Sequence, residues 1–352
     1  MDMNRTLIAM SGGVDSAVAA YLVKAAGAPC AGAYLRMWDA GLDSIRDARA
    51  VAGRLGMEFH VLDAMASFRT QVVDSFICAY ESGLTPNPCV VCNKCMKFGT
   101  LLDMALELGF QKVATGHYAQ VRYDTATGRW LLCKAADTAK DQTYFLAGLS
   151  QHQLAHTVFP LGGLTKDQAR SIAEEQGLVN ARKRDSQDIC FIPDGDYFAF
   201  MERYTGKAYP AGDYLDLNGR VVGRHKGAVA YTLGQRKGLN LAMGAPVYVC
   251  AKDMERNTVT VGPDEALYAK ALVAENWNFF PFPALEGPMR VTAKARSRHA
   301  EQPATVYPLE GGLARVEFDT PQRAITPGQA VVLYRGDTVI GSGTITQVLS
   351  RC

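Results

Sequence analysis

The hexapeptide Ser11-Gly12-Gly13-Val14-Asp15-Ser16 lies between the apolar run Leu7-Ile8-Ala9-Met10 and the helix-permissive stretch Ala17 to Lys24. A strand, a glycine-rich turn and a helix start in that order form an anion cradle, because the first amides of a helix have no partner inside it. Gly12 and Gly13 let the backbone take φ > 0 and approach an oxyanion closely, while Ser11 and Ser16 add donors. Such a loop suits a pyrophosphate group. The chain has no G-x-x-x-x-G-K-[ST], so a loop that transfers a γ-phosphoryl group is not the model. Asp15 adds a carboxylate suited to Mg²⁺ beside the phosphates. Taken alone, Ser-Gly-Gly is also an ordinary connection, so its weight depends on the rest of the chain.

The alternation begun there continues. Strand patterns at 6–10, 31–36, 58–62 and 112–115 alternate with helical patterns at 16–26, 44–55, 68–80 and 98–108, which predicts an α/β, doubly wound parallel sheet over residues 1–204. A hairpin is expected from 121–123 and 130–133 around Thr127-Gly128. Thr165-Lys166-Asp167-Gln168 reads as a capping box whose helix ends at Gly177. Beyond about 204 the runs shorten, with strand patterns at 228–233, 246–251 and 258–261, so a small β-rich central domain is placed at 205–270. After a break at 278–288, short strands near 289–298, 304–309, 314–318, 330–334 and 339–345 predict a C-terminal β-barrel, 271–352.

The 352 residues carry a net charge of +2, which selects no partner by itself. No run of 18 uninterrupted apolar residues occurs and the start lacks a signal-peptide pattern, so a cytoplasmic protein without membrane contact is expected. Nine cysteines in that setting read as thiols, metal ligands or catalytic groups rather than a disulfide framework. Cys89, Cys92 and Cys95 form C-x-x-C-x-x-C after a proline-stiffened turn, and Cys190 stands apart. Three thiols at that spacing can face one metal centre, which Cys190 completes or opposes; zinc lacks a second ligand pair. The metal-free alternative is a redox pair in which a thiolate attacks a persulfide and leaves a transient disulfide. Cys30, Cys78, Cys133 and Cys250 lie among apolar residues and are expected to be buried structural thiols. On the strand pattern 289–298, period two puts Arg290, Lys294, Arg296 and Arg298 on one face, a stripe able to track phosphates. Arg182-Lys183-Arg184 and Arg236-Lys237 are also basic.

SGGVDS resembles the PP-loop of ATP pyrophosphatases, which split ATP between its α and β phosphates. With TPNPCVVCNKCMKF (85–98), ATGHYA (114–119), KDQTYFL (140–146), KRDSQDICFI (183–192), YTLGQRKGL (231–239) and TPGQAVVLY (326–334), the chain resembles the tRNA-uridine 2-sulfurtransferase family from end to end. The resemblance implies a PP-loop domain, a central domain and a C-terminal barrel. It also implies ATP and Mg²⁺ as cofactors, tRNA with a wobble uridine as substrate, and a sulfur-relay protein or cysteine desulfurase as donor. Ala9, Met10, Ser11 to Ser16, Leu35 and Gly116 would contact ATP. Asn87, Pro88 and Cys89 would meet the target base, and His117, Lys140, Asp141, Gln142, Arg296, Ser297 and Gln347 would contact tRNA. In one account of the family's sulfur step, Cys190 carries a persulfide and Cys92 is the partner thiol. In the other, a 4Fe-4S cluster is held by Cys89, Cys92 and Cys190. Cys89 stands where many members have Asp, Cys95 is an additional thiol, and Ser297 replaces an aromatic often found there, removing a stacking contact to a base.

Two other functional classes compete. A PP-loop ligase acting on a small acid or nucleotide needs no thiol cluster, and a tRNA-binding module without catalysis leaves Asp15 and the thiols without a task. ATP-dependent AMP release separates the module from the enzyme.

Overall fold

The computed structural model describes residues 5–38, 42–180 and 189–351. The sequence-predicted basic cluster Arg182-Lys183-Arg184 lies outside them. Three sheets organise the rest.

The first sheet has five parallel strands in the order Phe59–Asp63, Cys30–Arg36, Thr6–Ala9, Lys112–Ala114, Thr157–Val158. Its central strand is buried from Thr6 to Ile8 because both faces are covered by helices. Helix Val14–Ala25 packs Val14, Ala17, Val18 and Ala20 beneath one face. On the other, Phe68, Phe76, Met96 and Leu101 close the second layer. The expected helices at 44–55 and 16–26 are present as Leu42–Arg54 and Val14–Ala25. Helix Lys166–Glu175 carries the expected box: Thr165 Oγ1 accepts from the Gln168 amide at 3.2 Å, and Gln168 Oε1 accepts from the Thr165 amide at 2.8 Å. A cap of this kind contributes about 1 kcal/mol, and it fixes where Lys166 enters the fold.

Two helices differ from expectation. The run 68–80 is three consecutive pieces, Met65–Phe68, a wide π-helical turn Arg69–Asp74, and Ser75–Glu81. The run 98–108 reaches back through a π-helical stretch Asn93–Thr100 to Pro88–Cys92, so the three clustered cysteines are helical. Asn87 explains the early start, since its Oδ1 accepts from the Cys89 amide at 3.2 Å and Pro88 occupies the first helical position. Cys133 and Cys250 are buried as expected, but Cys30 is half-buried and Cys78 exposed. Helix Ser75–Glu81 turns Phe76, Ile77 and Tyr80 inward, which leaves Cys78 on the outer face.

The second sheet orders Tyr248–Asp253, Thr258–Gly262, Gly212–Leu215 and Val221–His225. The strand expected at 228–233 is instead a short 3₁₀ turn, Ala228–Ala230. Ala228, Val229, Ala230 and Tyr231 are all buried, so the run never had the alternation a half-covered strand shows.

The third sheet closes on itself. Tyr268–Phe279 pairs antiparallel with both Ala314–Arg323 and Thr338–Arg351, and Gln302–Pro308, Met289–Lys294 and Ala330–Arg335 complete a six-stranded barrel. Val291, Val306, Val316, Phe318 and Leu333 fill it. The expected strand 289–298 stops at Lys294, and the chain bends beyond it. Arg290 is paired with Asp319, and Arg296 turns inward to donate to Leu233 O at 3.0 Å and to Thr326 Oγ1. The four-cation stripe therefore does not form, because two of its members are committed to protein acceptors.

The barrel also grips the first domain. The hairpin Gln120–Asp124 and Arg129–Cys133 joins the barrel sheet at Cys133↔Thr338, Asn278 Nδ2 donates to Ala147 O and Leu149 O, each at 2.9 Å, and Tyr144 Oη donates to Ala330 O at 2.8 Å. No helix among the described residues is long and apolar enough to cross a membrane.

Candidate active site

The strand order reverses at the central strand: Thr6–Ala9 has Cys30–Arg36 on one side and Lys112–Ala114 on the other. A crevice opens at the carboxyl ends of strands at such a point. It holds a cavity of about 600 Å³ lined by Ala9, Met10, Ser11, Asp15, Ser16, Leu35, Gly116, His117, Gln142 and Cys190, all anticipated from sequence, and by Tyr34, Met37, Ser44, Lys97 and Thr115, which were not. Lys97 and Thr115 sit inside the recognised blocks 85–98 and 114–119, but nothing in their spacing marks them as facing a ligand.

The loop is built by close backbone approach. Gly12 has φ +74, and a Cβ there would lie 2.6 Å from Ser44 O. Ser16 Oγ donates to Gly13 O at 2.9 Å and accepts from the Ser11 amide at 3.2 Å, so the loop is folded back over the first turn of the helix that Gly13 and Val14 begin. Asn180 Nδ2 also donates to Gly13 O, at 2.9 Å. Gly116 closes the other wall, where a Cβ would lie 2.7 Å from both Asp15 C and Ser16 N. The Asp15 carboxylate faces the cavity but accepts from Lys166 Nζ at 2.8 Å on both oxygens and from Tyr118 Oη at 2.9 Å. Mg²⁺ ligation by Asp15 thus requires exchange of the Lys166 ammonium for the metal.

Across the cavity, Cys190 is held by the residue that follows it. Phe191 is buried among Phe68, Phe76 and Phe200, with ring centroids 5.7, 5.5 and 5.4 Å away. Such edge contacts add to the burial of the ring and leave Cys190 little freedom. Cys89 and Cys190 reach solvent whereas Cys92 is buried. Burial raises the thiols of Cys89 and Cys190, and raises Cys92 to about 11, with the nearby Lys97 ammonium opposing each rise. The Cys92 thiol also feels the charges of Cys190 and Cys89, which places the three in one electrostatic neighbourhood. Yet among the described residues no three His, Cys, Asp or Glu side chains are gathered for a metal ion. As arranged, Cys89, Cys92 and Cys190 do not fit a three-thiol cluster site.

The Cys92 shift has a measurable consequence. Its thiolate fraction at pH 8 should be about 100-fold below that of an ordinary thiol of pKa 9.0. Alkylation of Cys92 by iodoacetamide at pH 8, followed by peptide mass spectrometry, is expected to lag that of exposed Cys78 by a comparable factor; equal rates would contradict the buried, protonated state.

His117 is buried, and its Nδ1 lies 2.7 Å from Thr115 Oγ1 between the rings of Phe98 and Phe159. Burial, and then the Lys97 charge, hold its pKa well below 6.5. Because the folded value is depressed, the stability linked to neutral His117 is present above about pH 6.5 and is lost as pH falls. Imidazole is therefore a neutral donor or acceptor near pH 7. Gln142 reaches the same wall, its Oε1 accepting from the Tyr118 amide at 2.9 Å. Asp141 accepts from Thr143 Oγ1 at 2.5 Å and from the Ala135 amide at 3.0 Å, and Lys140 is exposed beside it. Asn87, Pro88 and Cys89 form the helix start described above. Arg296, Ser297 and Gln347 belong to the barrel and do not line the cavity.

Three family models cover the chain: a tRNA methyl transferase HUP domain over 4–194, a tRNA methyl transferase PRC-barrel domain over 199–263, and an aminomethyltransferase beta-barrel domain over 269–345. Among curated proteins, the chain is 48% identical to the tRNA-specific 2-thiouridylase MnmA of Moorella thermoacetica, across 97% of this chain and 99% of that one. It is 44% identical to the MnmA of Acetivibrio thermocellus, across 98% and 100%. The MnmA of Heliobacterium modesticaldum is 47% identical, across 97% and 92%.

Proposed function

Since the chain belongs to the tRNA-specific 2-thiouridylase family, we propose that it replaces the C2 oxygen of a wobble uridine in tRNA by sulfur, using ATP in the glycine-loop cavity and Cys190 with Cys92 as the sulfur pair. The observation that carries this reading is that Ser11, Ser16, Gly116 and Cys190 line one cavity. A phosphate loop and a thiol lining one cavity bring an activated base and a sulfur nucleophile together.

Uridine O2 attacks the α-phosphorus and pyrophosphate leaves, its charge met by the amides that open helix Val14–Ala25. Mg²⁺ on the triphosphate would supply further charge neutralisation, with Asp15 as its protein ligand after exchange with Lys166. Adenylated O2 is a good leaving group, so C2 becomes an electrophile. The terminal sulfur of a Cys190 persulfide attacks C2 and AMP departs with the C2–O2 electrons. The Cys92 thiolate then attacks Cys190 Sγ; the S–S bond to the transferred sulfur breaks, its electron pair stays on that sulfur, and a Cys92 to Cys190 disulfide forms. An external dithiol restores the pair. Lys97, whose charge is felt by both thiols, favours the anionic forms.

The persulfide comes from a sulfur-relay protein or cysteine desulfurase, and Cys190 is the more open of the two thiols. The ATP-binding work falls to residues 1–204, tRNA contact extends to the barrel at 271–352 through Arg296, Ser297 and Gln347, and residues 205–270 link them. His117, Lys140, Asp141 and Gln142 contact the tRNA, and Asn87, Pro88 and Cys89 meet the target base.

Iron-free protein supplied with a persulfide donor and ATP is expected to thiolate unmodified tRNA. Anaerobic purification of wild type and of Cys89→Ala, Cys92→Ala and Cys190→Ala, with iron, sulfide and thiolation assayed on each, checks this. Iron and activity vanishing together in all three variants would overturn the relay in favour of a cluster.

A further inference from the structure

The barrel turn at residues 326–329 touches neither ATP loop nor thiol, yet it holds the segment that leads into the thiol helix. We propose that Gln329 is a positioning residue for the sulfur step, fixing from the barrel the placement of helix Pro88–Cys92. This rests on the assignment of Cys92 as the partner thiol.

Thr85 is clasped through both of its main-chain polar groups. Its amide donates to Pro327 O at 3.0 Å, and its carbonyl accepts from Gln329 Nε2 at 2.6 Å. Between the two, Gly328 at φ +88 lies so close that a Cβ would sit 2.9 Å from Leu84 Cβ and 3.0 Å from Thr85 N. Thr85 is only 7% exposed, so water does not replace these bonds readily. Two residues later Asn87 caps the helix on the Cys89 amide. That helix is the first piece of a continuous helical run that goes on through Asn93–Thr100 to Glu107, and Thr85 is the lead-in to its free end. The barrel therefore holds the end of the run that carries Cys92, while the packed core holds the other.

The same turn is joined to a residue expected to meet tRNA. Arg296 donates to Thr326 Oγ1 and to Leu233 O, and Thr326 Oγ1 donates to Ala324 O at 2.8 Å. The turn thus lies between Arg296 and Thr85, linked by direct hydrogen bonds on both sides. A contiguous path of this kind shows connection; energetic coupling along it has to be measured. Gln329 is the informative member, because its side chain alone can be removed without altering the turn's backbone.

A displacement of roughly 1 Å at a reacting group costs about 100-fold in rate. In single turnover with persulfide-loaded protein, ATP and unmodified tRNA, Gln329→Ala should release pyrophosphate at the wild-type rate but form 2-thiouridine about 10- to 100-fold more slowly. The ratio of the two rates is the readout, since general loss of folded protein or of tRNA affinity lowers both together. Gln329→Glu keeps the size, loses the donor to Thr85 O and should behave like Gln329→Ala, which covers a failure of the alanine variant to fold. Proportional loss of both products, or no loss of either, overturns the proposal. Cys92→Ala runs alongside: thiolation by it at the wild-type rate would remove the assignment of Cys92, a result separate from the Gln329 ratio.

Discussion

Replacing Cys190 by Ala is expected to lower 2-thiouridine formation by on the order of 10³-fold or more, while ATP is still split to pyrophosphate on the tRNA. The size follows from the role: a nucleophile that carries the transferred atom has no substitute in the cavity. Cys92 is buried and Cys89 lies at the helix start, both outside the cavity lining. Continued pyrophosphate release follows because the loop from Ser11 to Ser16 is shaped by its own hydrogen bonds and by close packing against Gly116 and Ser44, none of which involves the Cys190 side chain. Single-turnover assays of both products on unmodified tRNA check the split. Thiolation by Cys190→Ala at a tenth of the wild-type rate or better would sink the relay, whatever its iron content.

Gly116→Ala should act at the opposite wall and produce the opposite split, with loss of ATP use ahead of any loss in thiol chemistry. A Cβ at residue 116 would stand 2.7 Å from two main-chain atoms, Asp15 C and Ser16 N, and neither can swing aside as a side-chain tip would. Either the strand end after Ala114 retreats or the phosphate loop opens, and both spoil the cradle. Overpacking of this kind costs about 1–3 kcal/mol, which corresponds to roughly 5- to 150-fold in ATP affinity. Gly163→Ala is the matched control, because nothing lies within 4 Å of a Cβ there. Titration calorimetry with ATP on both variants tests it; equal affinities would mean that the close packing of Gly116 on the loop is not what shapes the site.

Much of the site was legible because it is local. The Ser11 to Ser16 loop, the Thr165 capping box and the Asn87-Pro88 helix start are set by residues within a few positions of one another; the structure realises the capping box as read, and the loop with positive φ at Gly12 while Gly13 is extended. The third reads as a turn in the sequence, since a five-residue helix has too few positions to show a period. Strand 228–233 failed for a related reason: an apolar run buried on all sides carries no alternation to distinguish strand from 3₁₀ turn. The cation stripe failed because period two holds only while the chain stays extended, and it bends after Lys294.

The sequence by itself determined the local devices: the glycine loop, the parallel α/β order of the first domain, the β character of the rest, and the set of thiols from which the proposed sulfur pair is drawn. Tertiary structure alone decided which of them meet. It put Cys190 on the cavity wall through Phe191, engaged Asp15 with Lys166 from 151 positions away, turned Arg296 inward, and tied Thr85 to Gln329 across 244 positions. The physical reason is that propensity, capping and periodicity act over a few residues, whereas these pairings exist only after the strand order and the barrel closure bring distant segments together.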